Sequence, residues 1–593
     1  MISSLRFHAM ICKALHVGIF LVCLTGLADA APQKEGAAQA ESIYQKGLAA
    51  LKRGDLNSAR ISFEHVLKLA PRSPEAHNSL GFVLFTQGDL DSAISHFRTA
   101  LKLKADFPQA ETSLASALAQ KGDLQQAVPA AREAVRLAPK DAETHRTLGR
   151  VLSFAGDLEG ATAELQQATE LDPQRADLHD EVGSVLAQKS RLAEAAAEFS
   201  EALRLQPSDP HANLHLGVVC WQQKLLDEAR NLLSKAVQLD PKSAQPHYYL
   251  ARVLEDRGEP DEAIRELQVA VRLQPDLAEA QNQLGLLLQR AGDADGAITA
   301  FQQVVRLQPE NPDAHNNLGL ALIQSGQASN SIAQFEAALR LRPNDASYRG
   351  NLGIAYLQKS DFDGAIAQFR SALETAPDDA TLHYNLGLAL KLKDQLADAT
   401  AEFQKAAHLD PNQADIHYTW GITYWQQGDF PHAADELRTA LKIKPDYAEA
   451  HYTLGTVLKQ QGNLPDAAAE LREAIRLQSD FAGAHTTLAA VLRQIGDTAG
   501  AAAEARAGES IAKEKTNLQA ATFATNSGKR LLAVGDLDGA ISQFRNAIRM
   551  VPTYAPAHYQ LGIAMSRKGE KKEAEQEFKK ANDLDPRLTP PAE

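Results

Sequence analysis

A residue with a tiny side chain returns every 34 positions along almost the whole chain: Gly47, Gly81, Ala115, Gly149, Gly183, Gly217, Ala251, Gly285, Gly319, Gly353, Gly387, Gly421, Gly455 and Ala489. A strict period of this length means one structural unit copied end to end, each copy unable to bury its apolar face alone and so obliged to stack on the next. Two more copies, centred on Gly528 and Gly562, keep the period after a slip of five residues. Sixteen stacked copies present long walls and leave little room for a catalytic cleft, so function is to be sought on a surface.

Two further columns lock the register. Twelve residues after each tiny residue comes an alanine, among them Ala365 and Ala399, broken only by Ser331; helices that cross at close range need a small side chain at the contact. Twenty-four residues after it comes proline in most units, including Pro343, Pro377 and Pro411. Proline cannot continue a helix, so it marks where the second helix of each unit has stopped. In the unit Ala414 to Tyr447, apolar and aromatic residues recur at helical spacing from Ile416 to Gln426, Gly428 and Asp429 form a turn, and Pro431 opens a second helix with the stripe Ala433, Leu437, Ala440, Leu441 and Ile443. Each unit is a helix hairpin.

With its period, its small positions (Gly81, Gly149, Gly319, Gly353, Gly387, Gly421 and Gly455 among them) and its terminal prolines, the chain resembles the tetratricopeptide repeat family over residues 40–588. The resemblance implies an all-α, right-handed α-solenoid superhelix of about sixteen antiparallel helix-turn-helix repeats. It also implies a concave face lined by first helices that holds a peptide or another protein. The expected organisation is a signal peptide over 1–30, a linker over 31–39, fourteen contiguous repeats over 40–515, an insertion at 516–520 within a long helix, two further repeats over 521–588 and a tail at 589–593. Residues 499–521 lack proline and are rich in helix formers, which predicts a helix running through the insertion. Pro129, inside a second helix, predicts a kink or a late helix start. The charged last hairpin, rich in Lys and Glu from Lys568 to Lys580, is expected to act as its own cap.

The first thirty residues differ in kind. Arg6 and Lys13 precede the apolar run Ala14 to Leu27, and Ala28-Asp29-Ala30 offers small residues for a peptidase cut before Ala31. The run falls short of the ~20 residues needed to span a bilayer, so the segment reads as a secretory signal and the mature protein as periplasmic or extracellular, with no membrane span once the signal is removed. Cys12 and Cys23 leave with it, so only Cys220 remains and no internal disulfide can form. Removing the signal's net +1 from the chain's −14 leaves −15, which argues against a nucleic-acid partner.

The search for chemistry is negative: there is no phosphate loop, no nucleophile elbow and no cysteine pair at metal spacing. Ten of the eighteen histidines sit four residues before the small position, from His77 to His558. Stacked helices stand ~8–10 Å apart, too far for shared zinc ligation, so this ladder reads as half-buried packing. His211 and His215 pair four apart on one helix, with Cys220 one turn beyond, but a metal would need a third ligand held close and none is identified. No metal, cofactor or catalytic residue is expected.

What remains is the wall of first helices. Two residues before the small position stand Asn317, Asn351 and Asn385 in successive units, and side-chain amides can grip an extended peptide backbone through donor and acceptor alike. This is similar to part of the asparagine ladder in the repeat arm of the O-linked N-acetylglucosamine transferases. One residue earlier stand Tyr384, Tyr418 and Tyr452, with Trp425 farther along its helix; aromatics with a polar tip are common anchors at binding surfaces. Tyr is equally common in such repeats for helix packing, and Asn for bridging adjacent turns. The expectation is a non-enzymatic scaffold that binds protein or peptide partners along the concave face in an envelope or secretion assembly, with self-association left open. The alternative is an accessory repeat subunit of a glycosyltransferase or of a polysaccharide export system.

Overall fold

The computed structural model describes residues 31–589, and 31 helices fill them. No strand occurs among the described residues. Each first helix packs on the second helix of its own repeat, and within each compact unit successive repeats stack, giving an all-α solenoid. The chain divides between Gln308 and Pro309 into two compact units, the first holding repeats 1–8 and the second repeats 9–16.

The local signals explain the helix ends. The first helix Ala380–Leu392 begins after Asp379, whose carboxylate accepts from the Thr381 and Leu382 amides; the second helix Phe362–Thr375 begins after Asp361, which accepts from the Gly364 amide. The intervening turn needs a left-handed residue. Gly428 supplies it with φ +80°, but Ser190, Lys224, Ser360 and Asp394 take the same conformation in their repeats without being glycine. The second helix Leu124–Leu137 starts at the same register as its counterparts despite Pro129, so the late start does not occur. The first helix of repeat 1 is Ala31–Lys52, so residues 31–39, read as linker, are helical.

The small position admits a large ring. A Cβ built on Gly353 would lie 2.6 Å from Phe369 Cε1, sixteen residues on in the second helix. Phe63, Phe97, Phe199, Phe301, Phe335, Phe369, Phe403 and Phe544 occupy that place and rank among the largest fully buried side chains. Burying each contributes about 1.5–3 kcal/mol. Where the small residue is Ala251 the facing residue is the smaller Leu267, and opposite Ala115 it is Ala131.

Between repeats, the residue five before the small position meets the preceding second helix: Ala76 clusters with Val66, Ala110 with Ala100, Ala212 with Ala202 and Ala557 with Ala547. Repeat 15 breaks this rule. Its first helix is continuous with the second helix of repeat 14 as the 36-residue helix Thr498–Ala533, so no second helix folds back over it. Phe523, at the register of those buried alanines, is 75% exposed.

The histidine ladder braces the hairpins. Eight of its members place Nδ1 at 2.5–2.7 Å from a glutamate nineteen residues on, in the second helix: His145–Glu164, His179–Glu198, His247–Glu266, His383–Glu402, His417–Glu436, His451–Glu470, His485–Glu504 and His558–Glu577. In most, Nε2 faces the carbonyl of the residue at the proline position, as in His383 to Pro377 at 2.9 Å. The packing expectation holds, but these rings also carry directed hydrogen bonds that periodicity alone did not show.

Candidate functional site

Two rows of contacts run along the first helices of each unit. In the first row, the residue three before the small position bonds the residue two before it in the next repeat. Tyr44 pairs with Ser79 at 2.9 Å, and Arg146 with Glu181 at 2.6 Å. Asp180 pairs with His215 at 2.8 Å, Asn316 with Asn351 at 2.8 Å, and Tyr384 with Thr419 at 3.2 Å. In the second row, farther along each helix, Trp221 donates to Asp256 at 2.9 Å and Trp425 to Gln460 at 2.6 Å, while Gln358 donates to the Ile323 carbonyl at 3.0 Å. Side chains in register on adjacent repeats satisfy one another, which fixes the geometry of the wall.

The expected site residues all lie on this wall, half-buried, but they are not one ladder. Asn351 is committed to Asn316 of the preceding repeat. Asn385 makes no side-chain hydrogen bond to another described residue, because the place that would bridge to it holds Gly350. Asn317 shares the face. The tyrosines instead form aromatic pairs. Tyr418 packs at a tilt against Tyr447 with centroids 4.8 Å apart, Tyr452 against Phe481 at 4.8 Å, and Tyr384 leans on Phe403 of its own repeat at 5.8 Å. Tyr447 and Phe481, just ahead of their first helices, escaped the sequence reading, although aromatics at that place also occur as Phe107 and Tyr554.

The electrostatics follow from burial. Burial raises the Tyr418 hydroxyl above its ordinary pKa, and burial together with the Asp415 carboxylate raises Tyr447, whose hydroxyl donates to Asp415 at 2.9 Å. Both stay protonated donors at neutral pH. Lys391, on the same face, is lowered by burial alone.

The first unit carries a cluster that the sequence reading missed. Trp221 and Tyr249 have centroids 6.2 Å apart, Tyr248 meets Tyr249 edge-on at 5.0 Å, and the Arg252 guanidinium lies 5.0 Å from the Trp221 ring. Its signal was adjacent aromatics at the very columns that carry Tyr418 and Trp425. In the same unit, Arg146 is buried among Glu143, Asp177 and Glu181. His215 is held by Asp180, and no group that could hold a metal ion occurs among the described residues.

Tetratricopeptide repeat family models match residues 282–346, 351–414, 418–480, 452–513 and 531–590. The model described as the cilia and flagella-associated protein 70 C-terminal domain matches residues 22–285. The chain is a tetratricopeptide-repeat protein. Comparison with curated protein sequences gives no match. Among solved structures, this repeat protein is similar to a chain of the APC/C hetero-tetramer Cut9-Hcn1, with 16% identity, 78% of this chain and 98% of that chain covered, and a TM-score of 0.36. It is similar to yeast Tom70, with 19% identity, 72% and 96% covered, and a TM-score of 0.31. It is also similar to YrrB, a TPR protein with an unusual peptide-binding site, with 26% identity, 30% and 92% covered, and a TM-score of 0.28. No helix among the described residues of this repeat protein is long and apolar enough to cross a membrane. The expected signal at 1–30 lies outside the described residues.

Proposed function

We propose that this tetratricopeptide-repeat protein is a non-enzymatic scaffold that binds polypeptide segments along its wall of first helices and works, after export, in a cell-envelope or secretion assembly. The repeat fold implies protein–protein interaction. The observation that carries the finer reading is the succession of aromatic pairs, Tyr418 with Tyr447 and Tyr452 with Phe481, on adjacent repeats of one face. Each pair is half-buried and held rigid, so its exposed edges meet a ligand with little further loss of side-chain freedom. Export rests on the charged, apolar and small-residue regions of residues 1–30.

Site-specific photo-crosslinking in living cells tests the binding face. A photoreactive residue at Tyr418 or Tyr452 should give polypeptide adducts, and one at Arg438, on the exposed side of a second helix, should not. Equal adducts at all three positions, or none at the tyrosines, would overturn the assignment. N-terminal sequencing should find mature protein starting at Ala31; an intact Met1 in the soluble cytosol would reject export.

A further inference from the structure

Four residues after the small position, repeats 11 to 14 carry Lys391, Trp425, Lys459 and Arg493 in succession. That column belongs to the second row of the wall, as the bond from Trp425 to Gln460 of the next repeat establishes. None of the three cations makes an ion pair with another described residue. Other cations of the same repeats do: Lys393 with Asp363, Lys405 with Glu402, Arg438 with Asp435 and Arg476 with Glu473. In a chain with 75 acidic against 61 basic residues, these three cations of one column stand on one face without a paired acid.

The helix dipole does not require them. A cation in the last turn favours the negative helix end, yet the first helices of repeats 2, 4, 5, 6, 7, 9, 10 and 12 have none there. Lys391 moreover sits half-buried without a counter-ion, and burial lowers its pKa. Its charge is held at a cost that an incoming carboxylate would relieve. The acids of these helices stand at the other end, in the first turn, where Asp415 is occupied by the Tyr447 hydroxyl. The face therefore runs from aromatic pairs to a cationic edge with Trp425 at its middle.

We infer that repeats 11 to 14 take an acidic polypeptide segment, its carboxylates on Lys391, Lys459 and Arg493 and its apolar side chains on Trp425 and the tyrosine row. This rests on the reading of the wall as a polypeptide-binding face and adds the chemistry of the partner. Three cations set one or two repeats apart suit the carboxylates of a peptide better than nucleic acid, which needs an extended basic surface.

The test is fluorescence anisotropy with the full chain and three fluorescein-labelled probes: a twelve-residue peptide alternating Glu with Leu and Phe, its twin with Gln for every Glu, and single-stranded oligo-dT. The Glu peptide should bind about tenfold more tightly than its twin, the scale that three exposed ion pairs supply. The advantage should fade at high salt and vanish in the triple variant Lys391→Gln, Lys459→Gln, Arg493→Gln. Gln keeps much of each aliphatic stem, including that of the half-buried Lys391, and circular dichroism checks that the repeats stay helical. Tyr418→Ala with Tyr452→Ala should weaken both peptides. Equal binding of the two peptides, or an advantage that survives in the triple variant, overturns the cationic edge and leaves the aromatic wall standing. Binding of neither peptide, or no effect of the tyrosine changes, overturns the wall and the inference together. Tighter binding of oligo-dT than of the Glu peptide overturns the choice of partner.

Discussion

The Phe369 ring lies so close over the backbone of Gly353 that a Cβ built there would stand 2.6 Å from Phe369 Cε1. Gly353→Ala should therefore cost about 1–3 kcal/mol by overpacking. The chain supplies its own compensated pair, Ala251 facing Leu267, so adding Phe369→Leu should recover part of the loss. Because repeats open locally, amide hydrogen exchange in repeat 10 is the suitable measurement. Unchanged protection in the single variant would show that the two helices separate freely.

His451 should make the stability of repeat 13 depend on pH. Burial of the ring opposes its protonation, but hydrogen bonds to Glu470 and to the Pro445 carbonyl, with the charges of Glu470 and Glu473, outweigh this and raise its pKa. Glu473 is itself paired with Arg476. A raised folded pKa means that the stabilisation is fully present below the unfolded imidazole value of about 6.5 and is lost as pH rises through the folded value. Gln281, which fills this register in repeat 8 and donates to the Pro275 carbonyl at 3.3 Å, suggests the variant. His451→Gln should lower stability by about 0.5–1.5 kcal/mol at pH 5, and the difference should shrink toward pH 8. A difference that is constant with pH in urea unfolding would contradict the protonated brace.

Phe523 and Ile416 share one register in their repeats but not one environment: Phe523 is 75% exposed and Ile416 is 2% exposed. Phe523→Ser should change stability by no more than about 0.5 kcal/mol, whereas Ile416→Ala should cost about 2–5 kcal/mol. A comparable loss in both, by urea unfolding of the full chain, would mean that the long helix Thr498–Ala533 is covered in solution. Ser527 and Arg530 stand where other repeats bury Leu and Val, such as Leu80 and Val83, which fits an exposed face.

Much of this was written in the one-dimensional pattern. The period, the alanine at twelve, the proline at twenty-four and the Gly–Asp turns settle helix ends and hairpin pairing, because those are decided by residues within one unit. The wall was only partly legible. Its columns could be named, and Asn317, Asn351, Asn385, Tyr384, Tyr418, Trp425 and Tyr452 all fall on it. What most of these side chains do there depends on a residue in an adjacent repeat, as for Asn351 with Asn316 and Tyr418 with Tyr447, and periodicity carries no information about such a pair. Gly350 leaves Asn385 unbridged while Asn316 engages Asn351, and nothing within either asparagine's own repeat separates the two cases.

A 34-residue rhythm of small residues already specifies a stack of helix hairpins, since each apolar stripe must be buried against the next copy. Which wall residues answer one another became visible only in the folded stack. Hydrogen bonds and ion pairs depend on contacts of about 3 Å across helices distant in the chain, and stacking alone sets those distances.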